Sequence, residues 1–218
     1  NYYQLPPYYF AFAEEKKKCM FMKNTGKTGA IIITFSPGIF HRYFNFRLFD
    51  VRDMVFCEPQ LVLGKSALEF CICLTDPDLE NHERVSIIND YFRSFLLSRK
   101  PGGDISYHAV QMLISERGKI KIKQLADYCN TTTRTLERKF LRDQGVTPVF
   151  FGRVIRCHSI IHHFKNNKNN DLQDLTYLFE YFDQTHLNKD FKKITGLTAR
   201  QYFLNPNNFE NIISKANP

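Results

Sequence analysis

The chain repeats itself. Residues 122–140 read IKQLADYCNTTTRTLERKF, and the spacing of their apolar residues returns about fifty positions later. Ile122, Leu125 and Ala126 fall at helical spacing and mark one apolar face. Asn130 follows, a residue that tolerates the left-handed backbone of a tight turn. Thr132 stands at an N-cap position, ahead of a second apolar stripe made by Leu136 and Phe140. In the second copy, Leu175, Thr176 and Phe179 lie fifty positions after Leu125, Ala126 and Cys129. Leu187 and Phe191 lie fifty-one after Leu136 and Phe140, and Gly196-Leu197-Thr198 lies fifty-one after Gly145-Val146-Thr147. One residue is therefore inserted in the second turn. Two short helices joined by a three- or four-residue turn form a helix-turn-helix, and two copies of it govern the reading of the rest of the chain.

Charge is spread unevenly over this repeat. The full chain carries 30 Lys+Arg against 22 Asp+Glu, a formal +8. Residues 117–142 hold eight basic residues (Arg117, Lys119, Lys121, Lys123, Arg134, Arg138, Lys139, Arg142) against Asp127 and Glu137. Residues 171–200 hold four basic residues against five acids. A polyanion would be gripped mainly by the first copy. The buried stripe at Leu136 and Phe140 leaves Arg134, Glu137 and Arg138 on the open face. Arginines four apart on one helix face reach base edges and phosphates together.

Residues 125–140 (LADYCNTTTRTLERKF), 145–148 (GVTP), 181–198 (YFDQTHLNKDFKKITGLT) and Gln201-Tyr202 resemble the DNA-binding domain of the AraC/XylS family of bacterial transcription regulators. The resemblance covers roughly 104–204. It implies an all-α domain of about seven helices at 101–204, with two helix-turn-helix units bridged by a long helix from Pro148 to Phe164. The bridge would hold both recognition helices on one face, entering major-groove segments about 34 Å apart. By residue match, the base-facing positions are Arg134, Glu137 and Arg138 on the first recognition helix, and Gln184, Thr185, Asn188 and Lys189 on the second. Thr131, Thr132, Thr133 and Arg142 match phosphate contacts, which position without specifying sequence. The second unit departs from the family pattern. Glu180 stands where the turn has Gly, Thr176 where a helix has Ala, and Ala199 where Pro follows Thr. A positive φ at Glu180 would store roughly 1 kcal/mol of strain.

The first hundred residues read as an α+β domain. Cys19–Met22 and Gly29–Phe35 have strand length and composition, with a turn signal at Asn24-Thr25-Gly26 between them, and 61–74 adds a further apolar run that is strand-like around Cys71-Ile72-Cys73. Aromatics at 40, 43, 44, 46 and 49 suit a helix or a packed loop. From 77 to 99 the pattern is helical, with Val85, Ile88, Tyr91, Phe92, Phe95 and Leu96 at spacings of three and four. Lys100-Pro101-Gly102-Gly103 marks a linker, which gives domains at 1–100 and 101–204, followed by a frayed tail at 205–218. The segment FSPGIFHRYFN (35–45) resembles a corner of the cupin-like sensor domains fused to some AraC/XylS-type regulators. That resemblance implies a truncated sensor or dimerisation domain that begins inside a longer protein.

The six cysteines are scattered and read as reduced thiols. Cys71 and Cys73, read in a strand, would face one side. His158, His162 and His163 on the long helix read as ordinary core or surface histidines, so no metal and no cofactor are expected. No nucleophile with a nearby base, phosphate-binding Gly loop or carboxylate pair is legible, so no catalytic residue is expected and the chain reads as no enzyme. The expected function is a sequence-specific, cytoplasmic transcription regulator that reads the major groove mainly through the first recognition helix. Its expected partner is double-stranded DNA, with a small-molecule effector in the N-terminal half, a homodimer and RNA polymerase as further partners. No apolar run is long enough for a membrane span. Two rivals stand beside this reading: an interaction module that has lost DNA binding, argued from the drifted second unit, and an enzyme with a reactive Cys71 or Cys73 fused to a DNA-binding domain.

Overall fold

The computed structural model describes residues 10–11, 33, 35–44, 49, 56–99, 101, 104–166 and 171–204. The expected strand at 19–22, most of the one at 29–35, the glycines of the linker and the tail at 205–218 lie outside the described residues. The chain forms two compact units. One comprises residues 1–107 and 138–146, the other 108–137 and 147–218.

Among its described residues the N-terminal half is helical and shows no β layer, which corrects the expected α+β domain. Its described helices are α1 (Ile39–Phe44), α2 (Pro59–Leu63), α3 (Ala67–Leu74) and α4 (Asn81–Leu97). Strand structure among the described residues is limited to a two-residue antiparallel pair, Phe10–Ala11 with Phe56–Cys57, too short to form a layer. The apolar run 61–74 is where the expectation fails. Gly64 breaks it at φ 87, and beyond it Ala67, Phe70 and Leu74 are buried at helical spacing. A short apolar run fits a buried strand and a buried helix equally well, and only the burial pattern separates them.

The core of this unit is aromatic. Phe44, Val62, Leu63, Ala67, Phe70 and Leu74 are buried, with Phe35, Phe40, Ile88, Tyr91, Phe92 and Phe95 packed against them. Phe70 stacks on Tyr91 at 4.0 Å and Phe40 on Phe44 at 4.5 Å, geometry worth about 0.5–1.5 kcal/mol per pair beyond burial. Helix α4 starts from Glu80, whose backbone N–H donates to the Glu83 carboxylate at 2.8 Å. Val85, at the start of the helical spacing, is exposed.

Among the described residues seven helices follow: α5 (Ile105–Ser115), α6 (Ile122–Tyr128), α7 (Thr133–Gln144), α8 (Pro148–Asn166), α9 (Leu172–Leu178), α10 (Gln184–Thr195) and α11 (Ala199–Leu204). Pro148 opens α8, where its missing N–H does no harm. Helix α8 buries Gly152, Cys157, Ile160 and Ile161. Elsewhere on α8, Phe150, Phe151, Val154 and Ile155 are half-buried and His158 is exposed. Cys157, Ile160 and Ile161 join Leu175, Phe179, Tyr181, Leu187, Phe191, Ala199 and Tyr202 in one core. At its other end, α8 meets the turn after α5. A Cβ on Gly118, whose φ is 74, would lie 2.1 Å from the Gly152 carbonyl oxygen. The Arg156 guanidinium closes this approach by donating to the Gly118 carbonyl at 2.7 Å. Only glycine allows backbones so close.

Candidate nucleic-acid interface

The two turns of the repeat are built from the same hydrogen bonds. In the first, Cys129 N–H donates to Leu125 O (3.1 Å), Asn130 to Asp127 O (3.0 Å) and Thr131 to Ala126 O (3.0 Å). In the second, Phe179 donates to Leu175 O (3.0 Å), Glu180 to Tyr177 O (3.1 Å) and Tyr181 to Thr176 O (2.9 Å). Each turn hinges on a left-handed residue, Asn130 at φ 49 and Glu180 at φ 56. This closure satisfies the last carbonyls of the preceding helix.

The recognition helices then start from matching caps. Thr132 Oγ1 accepts from Thr135 N–H at 3.2 Å, and Asp183 Oδ1 accepts from His186 N–H at 2.6 Å. Thr131 and Thr132 are adjacent, whereas Tyr181 and Asp183 are separated by Phe182. The inserted residue is therefore Phe182, and its ring is 93% exposed. Both units also close alike. Gly145 and Gly196 adopt φ 75 and 79, and Thr147 and Thr198 cap the next helices through Phe150 N–H and Gln201 N–H.

On α7, Leu136 and Phe140 are fully buried, while Arg134, Glu137 and Arg138 are exposed. Thr133 is exposed, Thr131 half-buried, and Thr132 serves as the cap. Arg142 is exposed and forked onto Asp143, Nε to Oδ1 at 2.6 Å and Nη2 to Oδ2 at 3.2 Å. The guanidinium retains further N–H groups for a phosphate. On α10, Gln184, Thr185 and Lys189 are exposed. Asn188 is half-buried, and its side-chain oxygen accepts from Ala199 N–H at 3.1 Å. That oxygen thus caps α11, eleven residues away, a role with no local sequence signal. Two ion pairs were equally invisible in the sequence: Lys119 with Glu180 at 2.9 Å and Arg153 with Asp190 at 3.6 Å. So was a constellation of His41, Asp104 and Asp143 in the first unit, drawn from three separate stretches.

The residues weighed for other chemistry are dispersed. Cys71 and Cys73 lie on α3, where two residues subtend about 200°, so they do not share a face as a strand would give. Burial pushes the Cys71 thiol up, away from the thiolate a nucleophile needs. His158 and His162 are exposed. His163 meets the Phe179 ring edge-on at 6.0 Å. No helix among the described residues is long and apolar enough to cross a membrane.

Residues 125–205, from α6 to the end of α11, match the model of a helix-turn-helix domain family of the AraC type. The match supports an AraC-like DNA-binding domain over that stretch and, at that level, a DNA-binding regulator. No curated protein and no solved structure matches the chain.

Proposed function

We propose that this chain is a sequence-specific transcription regulator that reads double-stranded DNA in the major groove mainly through α7. One observation carries the reading: α7 turns Leu136 and Phe140 fully inward and presents Arg134, Glu137 and Arg138 to solvent. Arginine pairs with O6 and N7 of guanine, and a glutamate accepts from the cytosine amino group. The basic segment 117–142 supplies phosphate attraction to this helix. Helix α10 is the weaker reader, because Asn188 is committed to Ala199 and residues 171–200 carry more acid than base.

The test is a salt-dependent titration against a randomised duplex pool, with sequencing of the retained DNA. A steep loss of affinity with salt together with an enriched motif is expected; binding without a motif, or no binding at low salt, rejects the reading. On the selected site, Arg138→Ala should cost about 1–3 kcal/mol and relax one base position. Lys189→Ala should cost well under 1 kcal/mol, and equal losses would contradict the division of labour between the helices.

A second reading is favoured by one specific feature. Tyr177 and Phe182 are 89% and 93% exposed on the second unit, and exposed aromatics of this kind serve protein contacts. The second unit would then dock protein while the first holds DNA. Within the main reading, the N-terminal half senses a small effector or pairs two copies of the chain. A thermal-shift ligand screen and light scattering test those roles.

A further inference from the structure

We propose that His41, Asp104 and Asp143 form a binding site for a divalent transition-metal ion. His41 lies on α1, Asp104 precedes α5 and Asp143 ends α7, and all three belong to one compact unit. One ligand atom from each lies within 4.8 Å of the others.

Hydrogen bonds orient both carboxylates, whereas His41 Nδ1 is buried without a partner. Asp104 Oδ1 accepts from Ser106 N–H at 3.1 Å, and Asp143 Oδ1 accepts from Arg142 Nε at 2.6 Å. Asp104 is thus held through Oδ1 and turns its Oδ2 to the His41 ring nitrogen, whereas Asp143 is gripped through both oxygens by Arg142, Nη2 reaching Oδ2 at 3.2 Å, and that same Oδ2 also faces the ring nitrogen. Asp104 Oδ2 lies 2.8 Å from His41 Nε2, and Asp143 Oδ2 lies 3.5 Å from it. Outer partners that fix the orientation of ligating carboxylates are the usual support of a metal centre.

The His41 imidazole alone does not serve both carboxylates, and Asp143 is paired by Arg142. Nε2 carries at most one proton, and at 3.5 Å Asp143 receives no good hydrogen bond from it. Two carboxylates, with the Asp143 side chain wholly out of water, face one imidazole and the Arg142 guanidinium. A dication among them removes the repulsion between the carboxylates. Bonds of about 2.0–2.1 Å put tetrahedral ligand atoms about 3.3–3.4 Å apart, so the His41–Asp143 spacing already suits a metal. The His41–Asp104 contact opens by only about half an ångström. One nitrogen and two oxygens, with no thiolate, suit zinc, manganese, cobalt or ferrous iron.

The site stands whether or not α7 reads DNA, and its test needs no DNA. The metal-free full chain is titrated with Zn²⁺ by equilibrium dialysis and with Co²⁺ by visible absorption, and melting is followed with and without Zn²⁺. The expected result is one equivalent of Zn²⁺, a raised Tm and cobalt d–d bands. His41→Ala and Asp104→Asn should each weaken binding at least tenfold with the helical circular dichroism kept. Both side chains are about four-fifths buried (18% exposed), so His41→Gln serves as a conservative second variant that must also lose binding. His158→Ala with His162→Ala should bind as the parent does. The absence of saturable one-equivalent uptake, or uptake that survives His41→Gln and Asp104→Asn, overturns the proposal. Loss of uptake in the α8 double variant also overturns it.

Discussion

Glu180 shows how a single residue records the drift of the second unit. It occupies the left-handed position of the turn at φ 56, where a side chain costs roughly 1–2 kcal/mol that glycine does not. Its carboxylate pairs with Lys119 at 2.9 Å, but the side chain is 62% exposed. A pair that wet contributes at most a few tenths of a kcal/mol. The strain therefore outweighs the ion pair. Glu180→Ala keeps the strain and loses the pair, whereas Glu180→Gly loses both. Chemical denaturation should find the Gly variant more stable than the Ala variant by about 1 kcal/mol. Equal midpoints would mean that the turn does not impose a left-handed residue here.

At the scale of elements, the repeat was legible because its signals are local. Asn130, Thr132, Gly145 and Thr147 act within a turn of where they stand, so reading along the chain finds them. The single inserted residue was legible too, since the apolar spacing shifts from fifty to fifty-one; only the structure shows that it is Phe182 and that its ring points to water. The N-terminal half is not legible in the sequence for the complementary reason. Its apolar runs are short, and what makes 67–74 a helix is the packing of Ala67, Phe70 and Leu74 in an aromatic core assembled from distant stretches. Asn188 and the His41–Asp104–Asp143 group share this cause, because their partners lie 11 to 102 positions away. The caps allow an element-level prediction. Thr132→Ala and Asp183→Ala each remove the acceptor for an N3 amide, a loss of about 1 kcal/mol. Asp183 also places a negative charge on the helix N-terminus. Its loss should be the larger by a few tenths, and a thermal melt at low salt would show the order.

For the molecule as a whole, the distribution of charge decides how it meets a polyanion. The first helix-turn-helix segment, 117–142, carries a net +6 and the second, 171–200, a net −1. The two close their turns with the same hydrogen bonds and differ there by the inserted Phe182, so the larger distinction between them is electrostatic. Each phosphate neutralised on binding releases condensed counterions and adds about 0.9 to the slope of log affinity against log salt. If the first unit alone supplies those contacts, Lys121→Ala with Lys123→Ala should flatten the slope by up to about 1.8. Lys192→Ala with Lys193→Ala should leave it unchanged within about 0.3, although both lysines are exposed on α10. All four positions are surface lysines or nearly so, and substitutions there disturb stability by no more than about 0.5 kcal/mol. A difference in slope therefore reports contact with DNA and not loss of fold. A flattening shared equally by the two pairs would show that both units lie against phosphate, and α10 would then regain a full share in the reading of sequence.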